Sequence, residues 1–487
     1  MENLTASLAE WTSSLTASDV PPSTTQRAGW QWASVIGAIF AGAGHPYSRA
    51  LGAVCRRFGA SGPSTLLPDL DGASPEGAIF ANAGRSVLLD FDDYLFAGHT
   101  GHSAVLVTLA LGEVLGSTGP ELLAATVAAN EAGGRLGAAM LAGPHNGQMW
   151  AYIHNLAGAV AAARLLGLGA EQTRHAVGLA LTQPPYPLPA TFMGSDGKAL
   201  TAAGPAAEGL RAALLAEEGL RCEVDVVTDR AGFFARFHPA AMAGMFSGYG
   251  TAWLTDSLCY KIYPGCAYLD TAVDALLALS HRHAAERGSP LAPADVERIR
   301  VRACLLTMGM EAMSGWYRGP GGDLREINMN FSVAYSLAIT LLAGRLTAAE
   351  LEPDWWTPNA PELEELAARI EVVADDEMNR GMASRGQGFD LGAAMSAGRE
   401  SPILEKASFV DYELRFPVTV ELHLRSGEVW EARQDIPLGG AGRPAEETRA
   451  LVRRKLEGNG APAGSFDGLE SLARLSSAAG VRALLGG

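Results

Sequence analysis

Lys261-Ile262-Tyr263-Pro264-Gly265-Cys266 is where the reading of this chain changes. Upstream, apolar residues recur at helical spacing over 28–53, 104–115, 120–141, 152–166, 170–182 and 202–218. Gln183 to Pro189 interrupts them, because its prolines remove donors and enforce extended backbone. Downstream of Lys261, residues 270–281 read as a helix, but 296–306 (VERIRVRACLL) alternate as a strand does. Residues 367–373 form a second strand candidate, and 412–424 with 428–436 a hairpin around Ser426-Gly427. The expected fold is mainly α, with a smaller α+β unit built on a largely antiparallel sheet. The Gly/Met/Ser-rich stretch 379–399 reads as a mobile loop over or near a site, and 444–457 and 468–485 as amphipathic tail helices.

A chain of 487 residues with 48% hydrophobic content can bury a large core and divide into two folding units. Its apolar stretches are broken by Gly, His, Arg or Glu before they reach bilayer length, which argues against a membrane span. Met1-Glu2-Asn3-Leu4 lacks the basic start of a secretory signal, so a cytoplasmic location is expected. The net charge of -16 and the absence of an extended Lys/Arg cluster exclude a nucleic-acid partner; Arg453-Arg454-Lys455 sits in an amphipathic helix. The acidic balance still permits a locally cationic site for an anionic substrate. Five cysteines without a CxxC pair argue against a disulfide framework, and Cys266 reads as a packed apolar residue. Gly439-Gly440-Ala441-Gly442 lacks the signature of a phosphate loop.

Three separated segments carry proton-transfer chemistry. Asp90-Phe91-Asp92-Asp93-Tyr94 runs into Gly98-His99-Thr100-Gly101-His102; Gly194-Ser195-Asp196-Gly197 precedes Lys198; and Lys261 opens the segment quoted above. A carboxylate beside an imidazole fixes its tautomer, and Asp90, Asp92 and Asp93 are the candidates for that work on His99 or His102. The competing reading is a cluster of helix-capping acids ahead of residue 104. His-x-x-His also suggests a metal pair, but with no third ligand in view a metal-free site is expected. Lys198 and Lys261 can pair with a substrate carboxylate, or act as acid or base if burial lowers their proton affinity.

These segments together resemble the MmgE/PrpD family, which includes 2-methylcitrate dehydratase, cis-aconitate decarboxylase and iminodisuccinate epimerase. The stretches 124–137, 158–172 and 206–219 resemble its helical body, and Phe331-Ser332-Val333-Ala334-Tyr335 its Phe-Ser-x-x-Tyr segment. The resemblance implies a large helical domain, 1–262, rejoined by C-terminal helices 440–487, with residues 263–439 as an α/β lid. It implies a homodimer and a cofactor-independent lyase, a dehydratase or decarboxylase, acting on a small carboxylic acid. An epimerase or isomerase using the same proton transfer and a non-catalytic ligand-binding protein are the alternatives.

The expected catalytic set is His99, then His102, with Lys198, Lys261 and Tyr335, the last alternatively a core tyrosine. Asp90, Asp93, Tyr94, Gln148, Trp150, His154 and Asp270 are expected to line the substrate. Gln148 and Asp270 stand where the family usually has histidines, and Thr100 where it has a proline after the first histidine.

Overall fold

The computed structural model describes residues 3–59, 61–141, 143, 150–238, 240–317, 324–383, 389 and 401–486. Gln148 and most of 379–399 lie outside these residues.

Small side chains at helical spacing let helix axes approach closely, and the larger body is built on that. Gly119–Ala139, started by a Thr118/Glu121 capping box with Pro120 in its first turn, packs on Tyr152–Leu165. Tyr152–Leu165 packs in turn on Leu200–Glu217, which also meets Pro75–Val87. Glycine sets the spacing of the second contact: a Cβ on Gly209 would lie 2.7 Å from the Asn155 carbonyl oxygen. The expected stretch 28–53 is two helices, Pro22–Ala41 and Pro46–Gly59, because Gly42 and Gly44 stop the first and Pro46 starts the second. Among the described residues no helix is long and apolar enough to cross a membrane.

The smaller unit carries a four-stranded sheet in the order Ile370–Ala374, Val296–Ala303, Val418–Leu424, Val429–Gln434. The last three strands pair antiparallel, whereas Ile370–Ala374 lies parallel to Val296–Ala303 and makes the sheet mixed. Val301, between Val372 and Val420, is fully buried. Strand alternation ends at Ala303, and Leu305–Trp316 is a helix rather than strand continuation. Asp270–Arg287 and Val333–Ala343 pack on the sheet.

The described residues form two extended hydrophobic cores. One joins the N-terminal helices to Val452, Leu456, Phe466 and Leu469 of the C-terminal region. The other fills the sheet unit and takes in Ala38, Leu89, Phe91 and Phe192 from the helical body. Leu404, Phe409, Tyr412 and Phe416, although in the lid segment by sequence, pack in the larger core. The expected tail helix 468–485 is broken into Ser465–Glu470, a 3₁₀ turn Leu472–Arg474 and Gly480–Leu484.

The glycine spacing is testable. Gly209→Ala should destabilise the protein by about 1–3 kcal/mol through overpacking. Gly309→Ala, where a Cβ meets nothing within 4 Å among the described residues, should be neutral or stabilising by up to about 1 kcal/mol. Denaturant unfolding of both variants checks the pair; equal effects would contradict the packing.

Candidate active site

A two-residue ladder brings the acidic segment to the lysine segment. Asp93–Tyr94 pairs antiparallel with Cys259–Tyr260, Asp93 opposite Tyr260 and Tyr94 opposite Cys259. Lys261 follows at once, and its ammonium donates to the Asp90 carbonyl at 2.7 Å, Asp90 Oδ2 at 2.8 Å and Asp92 Oδ1 at 3.1 Å. The chain reaches this geometry through Asp90 at φ 52°, a left-handed conformation uncommon outside glycine but tolerated by aspartate. Gly98, at φ 129°, turns the chain toward His99, and a Cβ there would meet Ile153 at 2.9 Å.

Asp92 holds both histidines. His99 Nδ1 lies 2.5 Å from Asp92 Oδ2, and His102 Nε2 lies 3.1 Å from the same oxygen. His102 Nδ1 is 2.7 Å from Ser86 Oγ. His154 Nδ1 shares a hydrogen bond with Ser103 Oγ at 3.1 Å, and its ring lies edge-on to His102, centroids 5.4 Å apart. Lys198 enters through a 3₁₀ turn started by Ser195, whose hydroxyl accepts from the Gly197 amide. Its ammonium forms an ion pair with Asp90 Oδ1 at 3.0 Å and stands 4.7 Å from the Phe331 ring centre.

The other expected residues fall into different places. Asp93 is buried against Gln31, which donates to its Oδ2 at 2.6 Å and to Asn130 Oδ1 at 3.1 Å. Tyr94 is buried with its ring 5.9 Å from that of His99. Trp150 is buried, and its Nε1 has no partner among the described residues. Asp270 is fully enclosed at the start of Asp270–Arg287, its Oδ1 likewise without a partner there. Tyr335 lies in the sheet unit, where its hydroxyl donates to Glu364 at 2.6 Å. One cluster member was not singled out in the sequence. Lys455, from the helix Ala445–Gly458, donates to the carbonyls of Phe91 and Lys261.

Electrostatics divide these groups. Burial raises the proton affinity of Asp90 and Asp92, but for Asp90 Lys198 and Lys261 outweigh it. For Asp92, Lys261, His99 and His102 do the same, and the carboxyl is held well below its ordinary value. Burial opposes the Lys261 ammonium, yet Asp90 and Asp92 prevail and keep it charged beyond the ordinary lysine range. Burial wins at Lys198, which is lowered, and at His154, held well below the ordinary imidazole value. Burial also carries Asp270 well above the carboxylate range. The result is ionised Asp92, ammonium Lys261 and neutral His154 at neutral pH. The fold also supplies a third neighbour for the histidine pair: ligand atoms of Asp92, His99 and His102 lie within 4.8 Å of one another. Lys261 already occupies the other oxygen of Asp92, so this carboxylate has cationic company without a metal ion.

Residues 6–243 match the MmgE/PrpD N-terminal domain and residues 263–397 the MmgE/PrpD C-terminal domain. A cis-aconitate decarboxylase of Aspergillus terreus (strain NIH 2624) is 24% identical over 437 residues, covering 86% of each chain. A cis-aconitate decarboxylase-like protein of Aspergillus oryzae is 26% identical over 375 residues, 72% of this chain and 76% of that protein.

Asp93 gives the site a pH signature. Burial, then Asp92, pushes its carboxyl from 3.8 up to about 6, against the hydrogen bond from Gln31. The folded state thus binds the proton more tightly than the unfolded chain, so Asp93 lowers stability as pH rises from about 4 through about 6. Asp93→Asn should therefore be more stable than the parent at pH 8, by on the order of 1–3 kcal/mol, and lose that advantage at pH 4. Denaturant unfolding at the two pH values decides; an advantage equal at both would contradict the assignment.

Proposed function

Because the chain belongs to the MmgE/PrpD family, we propose that it is a lyase, a decarboxylase or dehydratase, for a small acid bearing several carboxylates. We read the reaction as cofactor-independent proton transfer at a carbon next to a carboxylate. The observation that carries this is the buried pairing of two lysines with Asp90 and Asp92 beside the imidazoles of His99 and His102. The names of the Aspergillus relatives support the substrate class. The working unit in this reading is a cytoplasmic homodimer, and a monomer mass in light scattering at micromolar concentration would reject the dimer.

Each group has a role that its surroundings suit. Lys198, whose ammonium pairs with Asp90 through one of its three donors, receives a substrate carboxylate. Lys261 is bound to Asp90 and Asp92 on three oxygens, and stabilises negative charge as it develops. Asp92 holds Nδ1 of His99, which leaves Nε2 to carry the proton. In decarboxylation the carbon–carbon bond to one carboxylate breaks and carbon dioxide leaves. The electron pair spreads toward the remaining carboxylate, and imidazolium His99 returns a proton to carbon. In dehydration neutral His99 removes the proton next to a carboxylate, and the hydroxyl departs as water after protonation by a second group. Asp270, its proton affinity raised by burial and standing in place of a family histidine, makes the proton inventory of this site its own.

The test is direct. Purified protein should convert cis-aconitate to a five-carbon diacid with release of carbon dioxide, or dehydrate a related hydroxy acid such as 2-methylcitrate. His99→Ala, His102→Ala, Lys198→Ala and Lys261→Ala should each lower kcat/KM by roughly a hundred- to ten-thousand-fold while remaining folded. Near-parental rates in all four would place the chemistry elsewhere, and loss of turnover with a chelator alone would overturn the metal-free reading.

A further inference from the structure

Lys455 is a buried lysine that the proton-transfer scheme does not use. Its helix Ala445–Gly458 lies tightly against Pro22–Ala41: a Cβ on Gly37 would meet Leu456 Cα at 3.1 Å. That approach drives the Lys455 side chain under the catalytic segments. Its Nζ is 2.9 Å from Ser34 Oγ and 2.9 Å from the Lys261 carbonyl, donates also to the Phe91 carbonyl, and stands 4.2 Å from the Phe91 ring centre. Phe91 is the residue between Asp90 and Asp92, so one amine grips the backbone of both segments that hold the cluster.

We propose that Lys455 is a positioning residue for the site, tying the Asp90–Asp92 turn to Lys261 through their carbonyl oxygens at the expense of fold stability. This rests on the proton-transfer reading given above. The hydrogen-bond count suits the role in either protonation state. An ammonium donates to all three oxygens; a neutral amine donates to the two carbonyls and accepts from Ser34. No carboxylate touches it among the described residues. Asp93 and Asp92 from the acidic turn and Asp270 from its helix favour the charge, and Lys261 opposes it. Burial outweighs them all and brings the amine down to about 7. An apolar residue of similar length would fill the same space without that desolvation. A group that only supported the fold would lose stability and activity together; a positioning residue separates them.

The experiment is Lys455→Met in the full chain, measured for melting temperature, crystal structure and kinetics on the parental substrate. The melting temperature should hold or rise. The Phe91 and Lys261 carbonyls should separate, with Asp90 leaving its left-handed conformation. The kcat should fall on the order of ten- to a hundredfold, as for a small misplacement of reacting groups, with little change in KM. An unmoved turn with parental turnover overturns the proposal, and so does an unmoved turn with melting temperature and kcat falling together. If the parent turns over no carboxylic acid, the functional reading falls by itself, and the crystal structure still decides whether the turn needs Lys455. Lys455→Gln, polar and one bond shorter, takes the same measurements should the Met variant not fold.

Discussion

The ammonium of Lys261 is the contact on which the rest of the site depends. It is fully buried and meets three oxygens of Asp90 and Asp92, two of them on carboxylates. A charge removed from water is costly unless paired and hydrogen-bonded, and this one meets both conditions. In return it keeps Asp92 ionised in a dry environment, and ionised Asp92 orients His99 and His102. Removing Lys261 would thus leave two buried carboxylates to take up protons and the imidazoles without their anchor.

The fold delivers this contact at a seam. Asp90 and Asp92 follow the helix Pro75–Val87 of the larger body, while Phe91 between them packs in the core of the sheet unit. The short ladder of Asp93–Tyr94 on Cys259–Tyr260 sets the register, and Lys261 is the next residue. A shift by one residue would turn the alternating side chains of the pair to the opposite face. Lys198 comes from a turn on the helical side and meets Phe331 of the sheet unit. A ligand between Lys198 and His99 would therefore touch groups anchored in both cores.

Much of this was legible because turns and periodicity are local. The acidic segment, the histidines and both lysines stand close to Gly or Pro in the sequence, and the fold brings Asp90, Asp92, His99, His102, Lys198 and Lys261 together. The ends of helices were less legible: 28–53 reads as one periodic stretch, but the pair Gly42 and Gly44 outweighs the apolar spacing. The parallel strand Ile370–Ala374 has no buried face to mark its partner, and its direction depends on tertiary packing. Tyr335, expected at the site by motif, donates its hydroxyl to Glu364 from the helix that begins at Val333. Lys455 was concealed by charge, since Arg453-Arg454-Lys455 resembles a solvated face. Its spacing held the signal: Leu451, Val452, Lys455 and Leu456 form one buried stripe at helical intervals.

The central claim is that the buried carboxylate–lysine–imidazole cluster moves a proton at a carbon next to a carboxylate. Turnover in deuterium oxide with mass and NMR analysis of the product tests it most directly. For decarboxylation the account predicts one deuterium at the product carbon next to a remaining carboxylate, and a marked loss of product formation in the His99→Ala protein. A decarboxylation product that carries no deuterium on carbon, formed at the same rate by the parent and the His99→Ala protein, would contradict it.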